Sequence, residues 1–456
     1  MATSISTVVV AATIMGLGAV ASAQEACEPQ RLTSPLGAQA LIYGYDVVTN
    51  GTHWFVAESA ARTPCATGLC QTGAVHVYEM VEDRLVHTQT IVPHDAQSFQ
   101  SFGRSIAADG NRLVVGSPSA PWGGRAWWPG VAYVYEHDGE QWVETDRIGP
   151  PDEVIQKFGV VVHVYGHEIL VRDEFDRLYR YIHGPEGWTP SGVLAWDPTM
   201  LTFATGFGIR TASNEDWLFV AAYVDDSVLL NGGSVHVFRR GPDNSLELVQ
   251  ILLLYEEARF GHGLAFDGTL LYVGAPLLMN DVRFQGGVII HEFDGSLWHE
   301  TQRLFVREPG SRGGFGTTVV VEGDRMVLTA DRQFSGTARG TTYLFRRNAD
   351  GQWFEDRRLI PNPPSPVSLG FGWKLALSQG RLLASSHDEN AAYLFDLTCF
   401  DCKPDLDGDG ALTIFDYLAF QTAFGTGDLR ADFDGDGELT IFDFLAFQTA
   451  FAEGCE

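Results

Sequence analysis

Positive charge is scarce in this chain: 30 Lys and Arg stand against 58 Asp and Glu, a formal net charge of −28. A polyanion of this kind repels nucleic-acid phosphates and anionic lipid surfaces, which excludes both as partners. Beyond the first twenty residues no apolar run is long enough to span a bilayer. Helical periodicity is missing before residue 400. No HExxH, no GxSxG, no phosphate-binding loop and no sialidase Asp-box occurs, and Gly261-His262-Gly263 belongs to a repeat rather than to a dinucleotide loop. Cysteine is sparse, with six in 456 residues.

The start of the chain reads as a secretory signal. Thr7 to Val20 is apolar and small, and Ala21-Ser22-Ala23 fits a cleavage site before Gln24, although no Lys or Arg precedes Arg31. Residues 1–23 are therefore expected to be a signal peptide and the mature protein to be secreted, extracellular or attached to a cell surface. Six cysteines suit that oxidising compartment, and they allow fifteen pairings. The architecture favours Cys65–Cys70 as a loop staple, Cys27–Cys399 joining the ends of the large domain, and Cys402–Cys455 clamping the C-terminal segment. Cys399 and Cys402 have neither a thioredoxin-like context nor a second pair at zinc spacing.

Between the signal and residue 398 one unit recurs. Its clearest copies are residues 102–118, opening Phe102-Gly103 and ending Val115-Gly116-Ser117-Pro118, and residues 260–276, opening Phe260-Gly261 and ending Val273-Gly274-Ala275-Pro276. Each is followed by an insertion, a Gly-led strand and a last strand beginning at Trp142 or Trp298. The opening pair recurs at Tyr43-Gly44, Phe158-Gly159, Phe207-Gly208, Phe315-Gly316 and Phe371-Gly372. Seven units of four short alternating segments, with turn dipeptides such as Asp109-Gly110 and Asp267-Gly268, predict a seven-bladed β-propeller of four-stranded blades over 24–398. Its Asp-Gly and Asn-Gly dipeptides are expected to make two-residue hairpin turns. The wording resembles the FG-GAP repeat family, whose seven units form a propeller, although the calcium loops some members carry within the blades are absent. The seventh unit stops after Tyr393-Leu394-Phe395 without a last strand. Gln30-Arg31-Leu32 resembles Gln302-Arg303-Leu304, so the N-terminus is expected to supply it and remove an exposed edge.

Residues 399–456 are different in kind. Asp405-Leu406-Asp407-Gly408-Asp409-Gly410 and Asp432-Phe433-Asp434-Gly435-Asp436-Gly437 are two copies of one loop. Oxygen ligands at alternate positions with a glycine at the sixth suit a hard cation, Ca²⁺. The first site would use Asp405, Asp407, Asp409, the Ala411 carbonyl, Thr413 and Asp416. The second would use Asp432, Asp434, Asp436, Glu438, Thr440 and Asp443. From 401 onward 13 acidic side chains face 2 basic ones, so cation binding and folding should be coupled. Predicted helices over 414–424 and 441–451 are apolar nearly all round, which requires cover from the neighbouring domain or from a partner. Loop-then-helix, twice, with Asp at position 12, resembles the type I dockerin module. That resemblance implies two calcium ions and a protein partner, cohesin-like or another cell-surface protein. It departs at loop positions 10 and 11, where Ile414-Phe415 and Ile441-Phe442 replace small polar residues.

On the propeller, the insertion of the second unit carries Trp122, Arg125, Trp127 and Trp128, which would stack on sugar rings, anchor a protein or simply pack the loop. Acids collect on the same face at Asp173, Glu174, Asp225, Asp226, Asp281, Asp331, Asp388 and Glu389, where solvated loop charge competes with glycosidic acid–base work. Two functions emerge: a non-catalytic binding or scaffold protein tethered through the calcium module, or an extracellular carbohydrate-active enzyme (polysaccharide hydrolase or lyase) delivered by it.

Overall fold

The computed structural model describes residues 28–124, 128–151, 157–195, 205–226, 230–280, 283–306, 314–330, 340–348, 350–361, 370–400, 403–406, 412–434 and 438–454. They fall into two compact units, residues 29–395 and a smaller one containing residues 396–454. No described helix is long and apolar enough to cross a membrane.

The larger unit is a seven-bladed β-propeller. Its strands form seven four-stranded antiparallel sheets and two short extra hairpins among the described residues. Blade 5 illustrates the order from axis to rim: Gly263–Phe266, Leu270–Ala275, Gly287–Phe293 and Trp298–Leu304. Alternation explains the layering, because the middle strands are buried on both faces and the rim strands on one. In blades 1 to 6 the outermost pairing carries a register shift, as between Ile290 and His291 in blade 5. Such bulges sharpen strand twist at the rim.

Turn chemistry differs from expectation in part. Asp109 pairs with Arg112 across a two-residue turn. At Asp267 and Asp294 the loops are longer. There the carboxylate accepts two backbone N–H groups, from Thr269 and Leu270 or from Ser296 and Leu297. Those donors, Leu297 first and Ser296 next, hold the Asp294 carboxyl well below the usual range.

The repeated wording marks the contact between blades. The aromatic of every opening pair is buried, from Tyr43 through Phe102, Phe158, Phe207, Phe260 and Phe315 to Phe371. Beside it, backbone meets backbone. A side chain on Gly274 would overlap the Gly316 carbonyl, and one on Gly316, held at φ +92°, would overlap that of Gly287. Gly116 meets the carbonyl of Gly159 in the same way.

Closure follows the expected route. Gln30–Thr33 lies antiparallel on Ala391–Asp396, with Arg31 opposite Tyr393 and Leu32 opposite Ala392. A glutamine clamp spans the rim. Gln250 both donates to the carbonyl and accepts from the N–H of Trp298 in the next blade, at 2.9 and 2.8 Å. Gln89 does the same with Trp142, and Gln302 with Trp353. Gln30 repeats it with Leu85 at 2.9 and 2.8 Å, so the N-terminal strand joins blade 7 to blade 1 by the same bond that joins other blades.

In the smaller unit, helix α1 (Ile414–Thr426) and helix α2 (Ile441–Glu453) run two residues beyond the expected ends. They pair through Phe420 and Phe447, stacked at 4.3 Å, around a core with Ala423, Ala431 and Phe433.

Gly274→Ala and Gly268→Ala separate sterics from backbone conformation. Nothing lies within 4 Å of a side chain at Gly268, whose φ is +97°, so only local strain of about 1 kcal/mol is expected there. Gly274→Ala should cost about 3 kcal/mol through overpacking. Urea unfolding midpoints read the difference.

Candidate functional site

The two helices begin in the same way. The Thr413 hydroxyl accepts from the Phe415 N–H, and Asp416 accepts from the Thr413 N–H at 2.8 Å. Thr440 and Asp443 repeat this with Phe442, the return bond being 2.7 Å. Both are capping boxes, which fix the first turn of each helix relative to the loop before it. The second oxygen of Asp443 accepts from the N–H groups of Phe433 at 2.7 Å and Asp434 at 3.2 Å. Asp443 thereby ties the beginning of its loop to the start of the helix. Burial works against its charge, and donation from Thr440, Asp434 and Phe433 outweighs burial and holds the carboxyl below its ordinary range.

One carboxylate oxygen from each of Asp432, Asp434 and Asp443 lies within 4.8 Å of the others. Two oxygens on opposite sides of a calcium ion stand about 5 Å apart, so this spacing fits a shared cation. Lys403 is not that cation. Its Nζ donates to the carbonyls of Asp432 and Phe433 and sits 4.7 Å from the centre of the Phe433 ring. Burial lowers its pKa, and the surrounding carboxylates oppose that. In the first loop Asp405 and Asp416 are buried. Glu438 is exposed, and the two threonine hydroxyls serve as helix caps. Asp407, Asp409, Ala411 and Asp436 lie outside the described residues.

The next residues along each helix are exposed. Phe415 and Phe442 are 63% and 64% accessible, flanked by Ile414 with Leu418 and by Ile441 with Leu445. The same three positions in each copy therefore present apolar side chains to solvent.

On the propeller the disulfide Cys65–Cys70 closes the hairpin of Arg62–Cys65 with Gly68–Gln71. Cys399 is also disulfide-bonded. Cys27, Cys402 and Cys455 lie outside the described residues. Of the tryptophan-rich insertion, Trp122 packs: its ring fills the space a side chain at Gly149 would need, and the Arg147 guanidinium lies over it at 5.3 Å. Trp128 is 61% exposed. Arg125 and Trp127 lie outside the described residues.

The loops entering each innermost strand and those between second and third strands share one face. On it stand the exposed apolar residues Phe99, Trp128, Phe175, Leu230, Tyr255 and Phe284. Acids of this face hold loops together. Asp173 accepts from the Phe175 and Arg177 N–H groups and from the Arg177 side chain. Asp225 accepts from Ser234, Asp388 from the Gly370 N–H, and Glu389 from Tyr393. Glu174 pairs with Lys157. Asp281 and Asp331 lie outside the described residues. Of the repeat histidines, His76 is buried against Glu58 at 2.9 Å, and burial lowers His236 to about 4.

Fold and repeat define the class: a seven-bladed β-propeller carrying an FG-GAP repeat. That family matches residues 86–135. No curated protein matches the chain. Among solved structures, the Cps50 (Swd1) β-propeller domain from Myceliophteria thermophila superposes with a TM-score of 0.52 at 10% identity, over 80% of this chain and 99% of that one. A chain of the mitotic checkpoint complex gives 0.51 at 10% identity, over 86% and 99%. Likeness at this identity concerns the fold alone.

Trp122→Ala should destabilise the propeller by about 3 kcal/mol through lost aromatic burial. Trp128→Ala should leave it within about 0.5 kcal/mol. Denaturant unfolding of both variants checks the contrast.

Proposed function

We propose that this is a secreted recognition protein. Its propeller presents a loop-bearing face to a ligand or protein, and its C-terminal unit folds around two calcium ions as a dockerin-like tether to a protein partner. The observation that carries the reading is the duplicated set of exposed apolar residues, Ile414, Phe415 and Leu418 with Ile441, Phe442 and Leu445, directly after each acidic loop. Capping boxes through Asp416 and Asp443 link the loops to those side chains. Ordering the loop by a cation therefore orders the first helical turn that displays them. Exposed apolar surface at matched positions is the property of a docking surface rather than of a solvated tail.

When bound, calcium would supply charge neutralisation and a fixed loop geometry. Asp432, Asp434 and Asp443 would hold it in the second site through the three oxygens already gathered there. Asp405 and Asp416 would take the corresponding places in the first. The partner would be cohesin-like or another cell-surface protein with a complementary apolar patch. Carbohydrate is a candidate for the propeller face through Trp128. The enzyme alternative gains no support from the face acids, because Asp173, Asp225, Asp388 and Glu389 all accept hydrogen bonds that shape loops.

Two experiments test the tether. EGTA should unfold the C-terminal unit, seen as loss of α-helical circular dichroism, and leave propeller melting unchanged; a helical signal indifferent to EGTA contradicts the reading. Capture of a cohesin or cell-surface protein by the full chain should need calcium and fall at least about 100-fold in Phe415→Ser with Phe442→Ser, since two buried aromatic anchors are worth that much. Undiminished capture by the double variant removes the docking role.

A further inference from the structure

The central channel of the propeller is lined by all seven innermost strands and offers an open space of about 380 Å³. That volume suits a small ligand. Apolar side chains such as Val48, Val162, Leu264 and Val320 share the lining with polar groups such as Ser105, His163 and Thr211. Charge gathers at the end where the strands begin. Arg104 directly follows the Phe102-Gly103 pair. Arg210 and Lys374 each stand two residues beyond the glycine of their own pair, as does Asp46. The repeat thus brings four charged residues from blades 1, 2, 4 and 7 to one ring.

The ring is cationic in a strongly acidic protein. Lys374 Nζ lies 3.2 Å from Asp46. Asp46 is buried and also accepts from the Val47 and Ile106 N–H groups, both at 3.1 Å. Its charge is therefore already engaged. Among the described residues neither Arg104 nor Arg210 makes a direct ion pair with a carboxylate; burial lowers the Arg210 pKa and Asp46 only opposes this from a distance. Arg210 donates only to the carbonyl of Ile209, and Arg104 rests over the Tyr45 ring at 4.7 Å. Burial lowers the pKa of Lys374; Asp46 opposes this, and Arg210 and Arg104 add to it, so each guanidinium is within electrostatic reach of the ammonium. Concentrating like charge at a partly buried mouth is unfavourable unless a counter-charge completes the site. Aromatic surface borders it: Tyr45 and Trp373 both approach His387, at 6.2 and 6.0 Å, and Tyr223 lies 4.8 Å from His262.

We propose that this mouth binds one small oxyanionic ligand, gripped by Arg104, Arg210 and Lys374. Arginine forks suit planar oxyanions, and the aromatic border suits a carboxylate carried on a ring. The site is built wholly from residues of the propeller and does not rest on the calcium reading.

Titration calorimetry of the full chain with glucuronate, glucose, sulfate and phosphate tests it. Glucuronate should bind saturably, near one per chain, and glucose should not. Arg104→Gln should weaken the anion at least about tenfold without lowering the melting midpoint, because Arg104 is an exposed residue and its removal relieves like-charge repulsion. Adding Arg210→Gln should weaken it further. Sulfate or phosphate binding as tightly as glucuronate, with the same loss in Arg104→Gln, supports the site and assigns it a free inorganic oxyanion. Glucuronate tighter by tenfold supports it and assigns a sugar acid. The proposal fails if none of the three anions binds saturably, if glucose binds equally well, or if Arg104→Gln leaves the affinity intact.

Discussion

A carbonyl of one blade rests against a glycine of the next, beside a buried aromatic ring, and the propeller depends on that contact. At Gly274 and Gly316 backbone occupies space that any side chain would need. Close approach draws the innermost strands together around a narrow channel, and the rim is held separately by glutamine clamps. Gln30 adds the fourth such clamp among the described residues. A strand from one end of the domain fills the last place in blade 7 and makes to Leu85 the bond that Gln250 makes to Trp298. Without it, Ala391–Asp396 would present an unpaired edge and the ring would be open.

The proposed recognition role would use this frame. Because inner strands enter from one face, loops that tolerate insertion and the residues after each aromatic-glycine pair are displayed together. Apolar side chains such as Tyr255 and Trp128 stand among the loops, and Arg104, Arg210 and Lys374 gather at the centre. In the proposed reading the C-terminal unit would use a different device for the same end. There, capping boxes convert loop order into helix order, and the side chains so positioned are Phe415 and Phe442.

Much of this was legible in the sequence, for physical reasons. The aromatic-glycine pair announces a blade junction because only glycine allows the approach. Gln30-Arg31-Leu32 was recognisable as a displaced rim strand because it keeps the residues that make rim contacts. For the acidic loops the structure gives only the spacing of Asp432, Asp434 and Asp443, and the calcium reading of them stays a proposal. Turn lengths were not legible: Asp267 and Asp294 build wider loops through side-chain acceptance, which dipeptide rules do not register. Nor could composition separate Trp122, which packs, from Trp128, which does not; that depends on Gly149 and Arg147, more than twenty residues away in the chain for Trp122. The cationic mouth was missed because its members are scattered among four blades. Counting from each aromatic-glycine pair would have aligned Arg210, Lys374 and Asp46.

Hydrogen exchange at the closing strand tests the central claim most directly. If Gln30–Thr33 truly completes blade 7, the ladder amides it shares with Ala391–Asp396 should exchange as slowly as the rim amides of blades 5 and 6, and all should be released together on global unfolding. Exchange of those amides at the rate of free chain, with the other blades still protected, would mean that the ring is not closed by the N-terminus and would contradict the account.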